Sequence, residues 1–333
     1  MKQAMLKLMK ATGVFAPFRF VNRNRALILT YHRFGANDAT RTSALDFREQ
    51  LDYLTSHYEI VPLSFIAGRV AGKRRLAAIT IDDGYRDAYE IAFPLLRQFD
   101  APATLFAVTD FIDKKIWLWT DKLRYLTSRV QQDLLETTIS NRTIRLPLNG
   151  RTSRSEAAQR INAALKSLSE GDKNRAIARI AESLGLEIPD VPPDDLSPIT
   201  WEQAREMDGA GLEIGSHTMT HPILTRVSEA QLRRELVESR ERIESILKRR
   251  VDRFCYPNGN YNNSVAIEVE RAGYRCAVTV DPGLNDEHTS PFALRRIHTE
   301  ADLAHFVQST SGFEQLKASF YGIRAKGIRA TGL

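Results

Sequence analysis

Two aspartates and two histidines carry the chemistry that can be read directly from this chain. Asp82 and Asp83 stand side by side before Gly84, at the end of the apolar, β-branched run 76–82. Neighbouring carboxylates repel, and neither is buried cheaply without a partner. His217 and His221 lie four apart in Ser216-His217-Thr218-Met219-Thr220-His221. On one helical turn, or in a tight loop, two imidazoles at that spacing can face a common point, as metal ligation requires. A carboxylate from a distant strand, Asp82 or Asp83, would complete a two-histidine, one-carboxylate set with positions left open for water and substrate. Side chains alternate along a strand, so the other aspartate points elsewhere and is available as a base. Taken singly, Asp-Asp-Gly is more often a turn and His-x-x-x-His more often two unrelated histidines. Together, on separate strand ends, they describe a site for a divalent cation.

The elements that must position these residues follow from hydrophobic patterning. Strand-like runs at 26–32, 76–82, 101–108, 212–217, 253–257, 274–280 and 293–298 alternate with helical patterns. That alternation predicts parallel strands joined by helical crossovers, an α/β barrel or open sheet. In such a barrel, functional groups gather at the C-terminal strand ends. The ends here are Tyr31-His32, Asp82-Asp83-Gly84, Ser216-His217, Tyr256-Pro257-Asn258-Gly259 and Arg296-Ile297-His298, all polar. Thr200 with Gln203, and Ser228 with Gln231, have the form of capping boxes, and Glu244 with Lys248 that of an i,i+4 pair. From about 113 to 197 the rhythm stops, and the polar chain reads as a helical insertion over one end of the barrel. Its Trp117, Trp119 and Tyr125 suit either a small core or stacking on sugar rings.

Thr80-Ile81-Asp82-Asp83-Gly84 resembles the TFDDG motif of the polysaccharide deacetylases, the NodB-homology family also known as carbohydrate esterase family 4. The 216–221 segment resembles that family's H[ST]xxxH motif, and Phe254-Cys255-Tyr256-Pro257-Asn258-Gly259 its RxPxG-like motif. Tyr31-His32 resembles the branch in bacterial surface-polysaccharide pathways. The resemblance covers about 26–112 and 198–310. It leaves a basic N-terminal segment (1–25), the insertion (113–197) and a C-terminal tail (311–333). What it implies is a distorted (β/α)7 barrel and metal-dependent removal of N-acetyl groups from amino sugars. Asp83, His217 and His221 would be the ligands of a divalent metal, zinc by preference. Asp82 would be the general base, and the Tyr256 N–H a donor to the oxyanion. Two departures stand out. Cys255 occupies the position of the motif arginine, for which Arg296 is the candidate replacement. The family's aspartate–tryptophan motif has no match near Asp281-Pro282. His298 falls near an LxH position and is the candidate general acid, with His32 or water as alternatives. Tyr256, Pro257 and His32 are expected at the substrate.

Composition narrows the remaining choices. The chain of 333 residues is long enough for one large barrel or two ordinary domains, and its formal charge is +6. Basic excess fits an anionic, lipid-linked or phosphorylated glycan; no nucleic-acid motif accompanies it. Two cysteines outside any CxxC pattern argue against a disulfide framework. Lys7 and Lys10 interrupt the apolar N-terminal positions, so a signal peptide is not expected; a basic amphipathic segment is, packed on the body or lying on an anionic membrane. The expectation is a cytoplasmic protein, soluble or peripheral to the inner face of the membrane. Two other functions fit the same residues: a deformylase or other amidohydrolase on a small or lipid-linked amide, and a non-catalytic glycan-binding barrel.

Overall fold

The structure, a computed structural model, describes residues 2–35, 41–68, 75–140, 142–300 and 302–314. Seven parallel strands close into a barrel. They are β1 (Leu27–Tyr31), β2 (Leu76–Asp83), β3 (Ala103–Ala107), β4 (Leu212–Ser216), β5 (Arg253–Cys255), β6 (Cys276–Pro282) and β7 (Leu294–His298). Closure is made by β1, which pairs with β2 on one side (Leu29 opposite Ile79) and β7 on the other (Thr30 opposite His298). The distortion sits on the far side. There β5 has only three residues, one register pair joins it to β4, and the β6–β7 register shifts between Leu294 and Arg296.

Strand alternation sorts the residues into two layers. Leu27, Leu29, Ile79, Ile81, Leu105 and Ile214 face the surrounding helices in one apolar cluster. Ile28, Ala78, Phe106, Cys255, Cys276 and Val278 belong to a second cluster, the barrel interior. Gly215 makes room for Phe106 there: a Cβ would sit 2.8 Å from its ring. Both cysteines are buried thiols.

The segment expected to be helical contains helices Trp119–Arg129, Arg151–Leu165 and Glu170–Ser183, but also an antiparallel hairpin, Leu134–Ile139 with Arg142–Pro147. Leu135, Thr137 and Ile139 alternate inward, giving it a strand period that the polar composition concealed. These elements share their own apolar cluster, including Trp119, Leu126, Leu135, Ile161 and Ile180. Trp117 and Trp119 are therefore core rather than sugar-stacking surface, and Trp117 meets Tyr125 edge-on. Thr200 and Gln203 form the full capping box, whereas Ser228 caps Gln231 N–H alone. Glu244 turns to Arg240 and to the Val251 N–H, because the helix ends at Leu247 and Lys248 is left-handed. Most of the 311–333 tail lies outside the described residues.

Candidate metal and catalytic site

The two aspartates separate because β2 ends at Asp83. Asp82 keeps the strand's alternation and points inward with Ala78 and Thr80. Asp83 has φ +76° and Gly84 φ +94°, so the chain turns sharply and carries the second carboxylate out over the barrel mouth.

On the opposite side, His217 follows β4 directly and His221 closes a tight loop rather than a helical turn. Thr218 (φ +71°) and His221 (φ +57°) are both left-handed. The loop is held by Glu235, buried on helix Glu229–Leu247. Its carboxylate accepts from the N–H groups of Met219 (2.9 Å) and Thr220 (3.0 Å) and from the Thr220 hydroxyl (2.5 Å). Sequence reasoning missed Glu235. Its signal is an acid on the apolar face that Leu232, Leu236 and Ile243 mark out on the same helix.

Asp83, His217 and His221 come together: one ligand atom from each lies within 4.8 Å of the others. Asp83 Oδ1 is 3.7 Å from His217 Nε2 and 3.6 Å from His221 Nε2. These gaps are too long for hydrogen bonds and close to the separation of ligand atoms sharing one cation at bond lengths of about 2.1 Å. The donor chemistry fits as well. His217 Nδ1–H donates to the Cys255 carbonyl at 2.7 Å, leaving Nε2 as the lone-pair nitrogen. Burial lowers the pKa of His217, and burial with the neighbouring His217 puts His221 well below its ordinary value, so both rings are neutral. Burial, Asp82 and Asp121 push the Asp83 carboxyl well above the usual range. This buried group can bind a metal.

Asp82 lies beside it in a different environment. Arg296, from β7 across the barrel, donates to both carboxylate oxygens, Nη1 to Oδ1 at 2.7 Å and Nη2 to Oδ2 at 2.8 Å. Its Nε–H bonds the Thr279 carbonyl, Nη1 also reaches Thr80 Oγ1, and Nη2 lies 3.3 Å from Cys255 Sγ. Burial alone would raise the Asp82 carboxyl, but the Arg296 charge and bidentate bonds outweigh it and hold the group well below the usual carboxylate range. Arg296 thus occupies the place around the carboxylate that an arginine at position 255 would need.

The remaining expected residues are placed unequally. His32 Nε2 is 3.7 Å from Asp82 Oδ2, and its ring stands 6.1 Å from that of the exposed His298; both line the cleft. Lost hydration lowers the His32 pKa despite the Asp82 charge. Tyr256 lines the cleft, with its hydroxyl on the Phe292 carbonyl. Its N–H donates to the Val278 carbonyl and so is not free to hold an oxyanion, a correction to that expectation. Pro257 is buried in the turn below and is not among the lining residues; Asn258, with Nδ2 buried and unpartnered, takes its place. The insertion adds Asp121, buried, which accepts from the Tyr85 hydroxyl at 2.5 Å and pairs with Arg124.

The fold has counterparts among known proteins. The curated relative YxkH of Bacillus subtilis (strain 168), a polysaccharide deacetylase by provisional name, is 20% identical over 83% of this chain and 72% of its own. Among solved structures, the Streptococcus pyogenes deacetylase PplD in complex with acetate superposes with a TM-score of 0.58 at 17% identity, over 86% of this chain and 98% of that one. IcaB from Ammonifex degensii gives 0.57 at 17%, over 86% and 97%. These likenesses establish the distorted (β/α)7 barrel. The polysaccharide deacetylase family model matches residues 69–277, more than half of the chain, and on that match the protein belongs to the polysaccharide deacetylase family.

Proposed function

We propose that this carbohydrate de-N-acetylase is a metal-dependent hydrolase acting on N-acetylated amino sugars of a polysaccharide, oligosaccharide or lipid-linked glycan. The observation that carries the reading is the meeting of Asp83, His217 and His221 beside an arginine-clamped Asp82 in one polar cleft. The three would hold a divalent cation, and two neutral imidazoles with one carboxylate suit zinc. When bound, that ion supplies Lewis acidity, making water a nucleophile near neutral pH and polarising the acetamide carbonyl.

The chain's own groups do the rest. Arg296 keeps Asp82 ionised and fixes its plane, so that Asp82 accepts a proton from the attacking water. Its low basicity confines it to a water that is already acidified. His298, open to the cleft, is placed to donate a proton to the departing amine nitrogen. His32, held neutral, serves the substrate as a hydrogen-bonding wall instead. The N-terminal segment supports peripheral membrane contact: Met5, Leu8, Phe20 and Val21 are exposed on two helices that also carry Lys7, Lys10 and Arg19.

Metal content and acetate release on a panel of N-acetylated oligosaccharides test the reading. His217→Ala should lose the metal. Asp82→Asn should keep it and lose about 10²- to 10⁴-fold in turnover. Unchanged turnover in Asp82→Asn would remove that residue from the base role, and release of formate instead of acetate would favour the deformylase alternative.

A further inference from the structure

We infer that the outer half of the cleft is a subsite for an anionic group on a sugar adjoining the one deacetylated, anchored by the Arg151 guanidinium. This rests on the de-N-acetylase reading and names the class of glycan. The cleft, of about 900 Å³, does not end at Asp83. It continues along the insertion, past Arg124 on helix Trp119–Arg129 to Arg151, Thr152 and Ser155 on the first turns of helix Arg151–Leu165.

Five arginines line it, and four are committed. Arg296 clamps Asp82; Arg33 bonds Asp87 and the Asp195 carbonyl; Arg41 pairs with the Asp195 carboxylate; Arg124 gives Nη1 to Asp121. Arg151 is exposed and, among the described residues, has neither an acidic partner nor a hydrogen bond. The hydroxyls of Thr152 and Ser155 are likewise uncommitted among the described residues. Further along the same helix, Asn162 Oδ1 is a buried acceptor with no partner, suited to a sugar hydroxyl. Acidic lining is confined to Asp82 and Asp83 at the floor and Glu300 just beyond β7 on the barrel side, so the insertion wall carries positive charge alone. A planar guanidinium beside hydroxyl donors matches a carboxylate or a phosphate oxygen pair. A uronate and a sugar phosphate share that chemistry.

The test uses the full-length, metal-loaded Asp82→Asn protein, which binds without turning over. Its affinity would be measured by calorimetry for three tetrasaccharides: neutral chitotetraose, a hyaluronan fragment bearing carboxylates, and a 6-phosphorylated chitotetraose. At low salt at least one charged ligand should bind about tenfold more tightly than the neutral one, the size of one charge-assisted pair. Added salt should shrink that ratio. Adding Arg151→Gln should bring the ratio near one, and Arg151→Lys should restore part of it. Which charged ligand gains tells a uronate from a phosphate. Equal affinity for all three ligands, or a preference that survives Arg151→Gln, overturns the subsite. If wild-type protein nonetheless releases acetate from the neutral oligosaccharide, the de-N-acetylase reading stands without it. No binding and no acetate release from any of the three would overturn both.

Discussion

At the residue scale the two adjacent aspartates differ by what faces them, and each difference sets a pH dependence. Asp82 is depressed because Arg296 outweighs burial. In Arg296→Met the main influence lowering it is gone, and burial, which raises a carboxyl, is opposed only by His32 and His217. The acid limb of kcat against pH should therefore move to higher pH in Arg296→Met, with metal content retained; an unshifted limb would separate Arg296 from the base. Asp83 has the opposite sign. Its folded carboxyl binds a proton more tightly than the unfolded chain does, so this group gives the metal-free protein a downward slope of stability against pH from the ordinary carboxylate range toward the raised value. The buried neutral His217 and His221 contribute in the opposite direction. Zinc, which needs the ionised form, should reverse that slope. Melting curves in chelator and in zinc between pH 5 and 8 read both effects: relative to wild type, Asp83→Asn should gain stability toward the alkaline end in chelator and lose the zinc gain.

At the element scale, short irregular segments set the geometry. The 217–221 loop is left-handed at two non-glycine residues, a conformation that costs of order 1–3 kcal/mol at each such position and persists only where surroundings enforce it. Glu235 is the enforcing group. Glu235→Ala leaves the Met219 and Thr220 N–H groups unmet, which should destabilise the fold by about 1–3 kcal/mol and weaken zinc binding by roughly 10- to 100-fold. Chelator competition measures the second effect, and unchanged affinity would mean the loop holds its shape alone. These contrasts also show what was legible in the sequence. The seven strands were, because buried parallel strands are continuous apolar runs. So was the meeting of Asp83, His217 and His221, because a metal set needs its residue types at strand ends. Arg296 was legible only as the candidate replacement for the arginine whose place Cys255 takes, since a lone arginine on the last strand fits the surface equally well. Glu235 was not, since its place on an apolar helix face marks burial but does not reveal that its partners are backbone N–H groups on another loop. The hairpin at 134–147 was hidden because its inward face, Leu135, Thr137 and Ile139, is short and partly polar.

At the scale of the whole molecule, separate apolar clusters organise separate tasks: the barrel holds the acid–imidazole floor, the insertion supplies a wall, and the N-terminal segment offers a face to something else. Leu6 and Phe15 of that segment pack with Ala304 and Val307, which fixes it to the body. Met5 (56% exposed), Leu8 (64%), Phe20 (60%) and Val21 (61%) are left outside, and Arg23 lies over the Phe20 ring at 4.3 Å. Among the described residues no helix is long and apolar enough to cross a membrane. Side chains of this kind gain about 1.5–3 kcal/mol each when fully removed from water, and the flanking cations add attraction to anionic headgroups. The chain should therefore sediment with phosphatidylglycerol-containing vesicles at low salt and much less with phosphatidylcholine alone. Leu8→Glu with Phe20→Glu replaces two exposed apolar groups by charges that oppose the lipid, so it should abolish sedimentation while leaving acetate release from a soluble oligosaccharide intact. Sedimentation that survives the double substitution, or that ignores salt and headgroup charge, would assign the exposed residues to some other contact.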